Sequence, residues 1–117
     1  MVSGHELLVG AKRDQSYGII LALGLGGIYT ELLQDVNFKI YPLSRFEFDL
    51  MLKKTKVGKL LNNFRGKGKI NPDPIYKILC GLGQFMENNP KVKEIEINPL
   101  IVSVKNISAV DCRIIMV

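Results

Sequence analysis

Residues 5–14, HELLVGAKRD, and 17–25, YGIILALGL, are two β-rich runs with only Gln15 and Ser16 between them. So short a spacer reads as the turn of an antiparallel hairpin, with Asp14 and Gln15 among the turn residues. Both runs are nearly continuous in apolar residues, so at least part of each face must be covered. The chain therefore has to extend this hairpin into a sheet and lay something over it.

The rest of the sequence supplies those parts. GLGG, 24–27, has three glycines in four positions and implies a tight turn or a close backbone approach. IYTELL after it is ambiguous between a strand and a short helix. In VNFKIYPL, Val36, Phe38 and Ile40 alternate with Asn37, Lys39 and Tyr41, the period of a half-buried strand. Ser44 and Glu47 have the spacing of a capping box, which starts a helix at Ser44. Phe48, Leu50, Met51 and Leu52 give that helix its apolar surface, and Lys53 and Lys54 suit its C-terminal end. KVGKLLNNFRGKGKINPDP, 56–74, reads as a surface loop with one short helical turn at Lys59–Asn62. Ile75, Ile78, Leu79, Leu82, Phe85 and Met86 recur at helical spacing and predict a second helix from near Asp73, with Pro74 in its first turn. Gly81 and Gly83 mark places where this helix lies close to the sheet. ENNP stops it. VKEIEINPLIVS, 92–103, and AVDCRIIMV, 109–117, are two more strands, joined by a turn at Lys105 to Ser108. The order β-β-β-α-loop-α-β-β, with short connections, predicts an α+β domain: one antiparallel sheet with helices on one face, spanning residues 1–117.

Bulk properties narrow the function classes. Hydrophobic content of 47% and charged content of 23% suit a soluble globular domain. The longest apolar run, Ile19 to Leu25, is too short to span a bilayer. His5 and Glu6 interrupt any signal-peptide pattern, so a cytoplasmic location is expected. The net charge of +5 comes mainly from Lys53, Lys54, Lys56, Lys59, Arg65, Lys67 and Lys69. No aromatic interleaving accompanies these, which disfavours nucleic acid. A solvated face, or the phosphates of a nucleotide or of coenzyme A, fit the patch equally well. Cys80 and Cys112 sit in apolar segments without a metal-binding spacing and read as buried free thiols.

The chemistry concentrates near the C-terminal strands. Glu96 and Asn98 are two apart, so they leave one face of a strand while Ile95, Ile97 and Pro99 leave the other. The next strand returns antiparallel and brings Asp111 alongside. Oxygen donors of this kind suit Mg²⁺, which takes one or two carboxylates together with waters and phosphates. The same spacing also describes a plain polar sheet surface with no ligand.

These residues also carry a resemblance. INPLIV, with Asp111 thirteen residues after Asn98, is similar to the metal-binding end of the ATP-grasp fold in succinyl-CoA synthetase beta subunits. GHELLVGAKRDQSYG and ALGLGGIYTELLQDVNFKIYPLS resemble the beta subunits of ADP-forming acetate–CoA ligases, or acyl-CoA synthetases. Separate anchors stand at Gly24 to Ile28, Gln34 to Leu43, Arg65-Gly66, Asn98-Pro99 and Val110 to Arg113.

The resemblance implies interconversion of acetyl-CoA, ADP and phosphate with acetate, CoA and ATP, the phosphoryl group travelling on a histidine. It implies Mg²⁺ with ATP or ADP as cofactors. Asn98 and Asp111 match the Mg²⁺ ligands, and Glu96 supports the metal or joins it. Glu6 matches the glutamate that receives the ribose hydroxyls. Lys12 and Arg13 either face the phosphates or form an ordinary charged strand end, and Arg65 is a candidate anion contact. His5, the only histidine, does not stand where the family keeps its phosphohistidine. The match is to the C-terminal lobe alone. Activity is then expected to need a separate chain carrying the N-terminal lobe, and a CoA-binding subunit. The alternatives are a non-catalytic remnant, with or without homodimerisation, and a nucleotide-binding interaction module.

Overall fold

The computed structural model describes residues 4–26, 35–62 and 69–116. The hairpin forms as expected, with β1 (His5–Asp14) antiparallel to β2 (Gly18–Leu25). Oδ1 of Asp14 accepts from the amides of Ser16 at 2.8 Å and Tyr17 at 2.9 Å, which closes the turn. Gly18 follows with φ of 80°, a conformation that favours glycine. β3 (Val36–Ile40) adds outside β2, and β4 (Val92–Val102) adds on the other side of β1. β5 (Ile107–Ala109) and β6 (Cys112–Met116) share the far side of β4. All these pairings are antiparallel, giving a six-stranded sheet.

Three helices occur among the described residues: α1 (Arg45–Lys54), α2 (Val57–Asn62) and α3 (Asp73–Asn88). The core lies between them and one face of the sheet. Leu7 and Val9 of β1, Leu21 and Leu23 of β2, and Leu100 and Val102 of β4 meet Phe48 and Met51 of α1 and Ile75, Leu79 and Met86 of α3. Each such side chain contributes roughly 1.5–3 kcal/mol relative to exposure. Ser44 and Glu47 form the capping box that starts α1. Arg45 bridges the helices, donating to Asp73 at the start of α3 and to Asp49. Those two hydrogen bonds hold its guanidinium above its usual pKa.

Several expectations change. Residues 57–62 form a helix with Val57 and Leu61 buried, where a loop with a shorter turn was expected, because Val57 and Leu61 are four apart and share one helical face. Only Gly83 marks a close approach: a methyl group there would strike the ring of Tyr41, whereas one on Gly81 would meet nothing within 4 Å. On β3, Phe38 and Ile40 are exposed, while Asn37 pairs with buried Leu23 and shares its face. The last strand is split into β5 and β6, and the turn before it falls at Ser103–Asn106. Both cysteines are free, but Cys112 is exposed because β6 lies at the margin of the sheet, and Cys80 is half-buried. IYTELL lies outside the described residues. No described helix is long and apolar enough to cross a membrane.

Candidate functional site

The described helices cover one face of the sheet, and none of them lies over the other, here called the open face. On β1, Leu7, Val9 and Ala11 turn towards the helices, so Glu6, Leu8, Gly10 and Lys12 turn to the open side. Cross-strand register extends these positions into rows. One row reads Ile40, Ile20, Lys12, Glu94, Ile115. The next reads Phe38, Ala22, Gly10, Glu96, Arg113. The open face is thereby divided. Its β2–β3 half presents Ile20, Ala22, Val36, Phe38 and Ile40, and its β4–β6 half presents mostly charged groups. Where the halves meet, Gly10 and Ala22 have little side chain, and a concavity of about 250 Å³ remains, bordered by Leu8, Lys12, Phe38 and Glu96. Lys12 Nζ stands 5.0 Å from the centroid of the Phe38 ring.

The charged half is organised by an interruption in the sheet. β4 places two residues, Asn98 and Pro99, opposite Leu8 alone on β1, which is a bulge. The bulge shifts the alternation by one residue. Ile95 faces the core, but beyond the bulge Leu100 and Val102 are the buried residues. The expected two-residue period therefore ends at Ile97. On the other side of β4, β5 stops at Ala109 and β6 starts at Cys112. The register is the same before and after this gap, with Ile97 opposite Cys112 and Leu100 opposite Ala109. Asn98 consequently stands across from Asp111, and its amide donates to the Asp111 carbonyl at 3.1 Å. Gly26 closes in from the end of β2. Its amide donates to the Glu6 carbonyl at 2.9 Å, and a methyl group on it would lie 2.9 Å from Oδ1 of Asn98. In GLGG, Gly24 and Gly26 thus serve close backbone approach, while Gly27 lies outside the described residues.

The expected site residues divide. Asn98 and Asp111 are neighbours, with Glu96 one row away. Glu6 is exposed on the same open side. Lys12 occupies the same strand six residues on, about 20 Å from Glu6 at the rise of a strand. Arg13 is a correction. It lies on the covered side, where its guanidinium donates to the carbonyls of Met86 at 2.6 Å and of Asn89 and Val92 at 3.2 Å each. It ties down the end of α3 instead of facing the open surface, because it is the neighbour of Lys12 on an alternating strand. Arg65 lies outside the described residues. Among the described residues no three of His, Cys, Asp and Glu gather as a metal site. A cation here would rest on an amide and an acid, which suits a hard ion that keeps waters and phosphates.

The sequence reading gave Arg113 no role beyond closing the anchor Val110 to Arg113. Its Nη2 lies 3.7 Å from Oε2 of Glu96. The available signal was its place two residues after Asp111, in the segment expected to return alongside Glu96.

A family model described as an ATP-grasp domain matches residues 1–116. The beta subunit of acetate–CoA ligase (ADP-forming) I from Pyrococcus furiosus is 34% identical over 97% of this chain and 49% of its own length. A 4-hydroxybutyrate–CoA ligase (ADP-forming) from Nitrosopumilus maritimus is 35% identical over 96% of this chain and 16% of its own. Among solved structures, the dinucleotide-forming acetyl-coenzyme A synthetase 1 of Ca. Korarchaeum cryptofilum, in complex with coenzyme A and Mg-AMPPCP, superposes with a TM-score of 0.90 at 37% identity. That match covers 99% of this chain and 55% of the other. The chain therefore spans about half the length, or less, of the relatives it matches.

Proposed function

This chain belongs to the ATP-grasp domains of the ADP-forming acyl-CoA synthetase family, and on that premise we propose that it forms one wall of a cleft for Mg²⁺ and ATP or ADP. The observation that carries the reading is the divided open face, with Asn98 and Asp111 adjacent at a break in the sheet. A nucleotide has an uncharged base and a charged phosphate chain. The β2–β3 half offers the base an apolar surface, and the β4–β6 half offers polar partners to the phosphates and their cation.

In this proposal Oδ1 of Asn98 and the carboxylate of Asp111 hold Mg²⁺, with Glu96 beside them. When bound, the cation supplies neutralisation and orientation of the phosphates. Glu6 accepts hydrogen bonds from the ribose hydroxyls, the stronger for its charge. Lys12 lines the concavity beside Phe38 and adds positive charge on the nucleotide's flank. Gly26, by close approach, leaves the Asn98 carboxamide room to reach the open side. These residues bind and orient. None is placed to carry a phosphoryl group, and His5 sits at the start of β1, paired with Val102.

The remaining parts of the reaction lie outside these 117 residues. We propose that a second ATP-grasp lobe, together with a CoA-binding part that carries the phosphohistidine, completes the site. One open sheet face alone does not exclude water from a reacting phosphate. Relatives named for acetate and for 4-hydroxybutyrate match this chain over nearly its whole length. That supports a choice of acid made elsewhere. The test is co-expression with a chain carrying the first lobe and the CoA-binding subunit. ATP formation from acetyl-CoA, ADP and phosphate is expected only when all parts are present. Inactivity with every such partner, in preparations that assemble, would remove the catalytic reading.

A further inference from the structure

Among the described residues, the charged half of the open face holds a cation that the nucleotide reading leaves without a role. Arg113 stands across the ladder from Glu96, in the row beside Asn98 and Asp111. It follows Asp111, which stands in the gap just before β6, by two residues, so the two Cα atoms lie roughly 7 Å apart or less. Its Nη2 is 3.7 Å from Oε2 of Glu96, longer than an N–H···O hydrogen bond of about 2.7–3.2 Å. The Arg113 side chain is 65% exposed and that of Glu96 only 26%, so the guanidinium is the more accessible partner. The two cations of β1 are placed differently: Lys12 stands over Phe38, and Arg13 is held by the carbonyls at the end of α3.

We propose that Arg113 takes a phosphate oxygen of the bound nucleotide, and that Glu96 is the group it leaves to do so. The inference rests on the nucleotide reading and deepens it. A guanidinium presents a planar fork of donors that matches phosphate as well as carboxylate. The loose, surface-exposed ion pair with Glu96 is weak and easily exchanged. Arg113 then sets the anion's position while Asn98 and Asp111 set the cation's. Glu96 acquires a role opposite in sign to that of a metal ligand, because it competes with the phosphate for Arg113.

The sign makes the experiment decisive. The 117-residue chain is titrated calorimetrically with pyrophosphate in the presence of a chelator, and separately with Mg-ADP. Arg113→Ala is expected to weaken both by about tenfold, the loss of a charge-assisted bidentate contact, and Arg113→Lys to restore only part of it. Glu96→Gln is expected to tighten pyrophosphate binding by about two- to fivefold as the competing charge is removed. An unchanged affinity in Arg113→Ala, or weaker pyrophosphate binding in Glu96→Gln, overturns the proposal. Asn98→Ala separates the two readings. If it abolishes the Mg²⁺ enhancement of ADP binding while Arg113→Ala is silent, the nucleotide reading stands and the Arg113 role falls. If Arg113→Ala weakens pyrophosphate while Asn98→Ala keeps the full Mg²⁺ enhancement, the cation site falls and the anion site stands. Absence of binding by the unaltered chain overturns both. Thermal unfolding of each variant shows that the fold is kept.

Discussion

Oδ1 of Asn98 lies over the bare Cα of Gly26, 2.9 Å from where a methyl group on that glycine would stand. Asn98 is also joined to Asp111 through the main chain, by a bond that uses neither side chain. That main-chain bond is kept when either side chain is shortened. Asn98→Ala and Asp111→Ala are expected to unfold cooperatively within about 4 °C of the unaltered chain, the range of an ordinary surface substitution. Circular dichroism during heating checks this. Loss of the transition in both would mean that the pair serves the fold.

Arg13 and Lys12 are neighbours in sequence and opposites in role. Arg13 satisfies three carbonyls at and just beyond the end of α3. Arg13→Met keeps much of its volume but removes a charged donor from three carbonyls, of which those of Met86 and Asn89 keep a backbone amide, at a cost of about 1.5–3 kcal/mol. Lys12→Met is expected to change stability by less than about 0.5 kcal/mol. Urea denaturation midpoints compare them. Equal effects would contradict the opposite placement of the two residues.

Gly81 and Gly83 make the same contrast inside one helix. A methyl group on Gly83 meets the Tyr41 ring, so Gly83→Ala is expected to destabilise by about 1–3 kcal/mol through overpacking. Gly81 faces open space, and Gly81→Ala should stabilise by about 0.5–1 kcal/mol through helix propensity. Chemical denaturation of the two variants gives shifts of opposite sign if α3 packs as described. Shifts of the same sign would show that it does not.

Local chemistry was legible wherever one segment decides its own structure. The turn at Asp14, the capping box of Ser44 and Glu47, and the stripe from Ile75 to Met86 each follow from short-range spacing, and each is present, save that Phe85 of the stripe is exposed. The adjacency of Asn98 and Asp111 was legible too, because a short turn brings the return segment back alongside β4. What was not legible depended on partners distant in sequence. Whether Phe38 faces the helices or the open side depends on the register of β3 against β2, which its own alternation does not encode. The bulge at Asn98–Pro99 is defined only against Leu8 of β1, about ninety residues earlier. Arg13 looked like Lys12 because its carbonyl partners lie more than seventy residues away.

The central claim is that Asn98 and Asp111 together hold a divalent cation with a nucleotide. Titration calorimetry of the chain with ADP, at fixed pH and with Mg²⁺ present or chelated, tests it most directly. The account predicts that Mg²⁺ strengthens ADP binding, and that Asn98→Ala and Asp111→Ala each weaken Mg-ADP by about tenfold or more while leaving metal-free ADP nearly unchanged. Equal affinity with and without Mg²⁺, or wild-type Mg-ADP affinity in both folded variants, would contradict it.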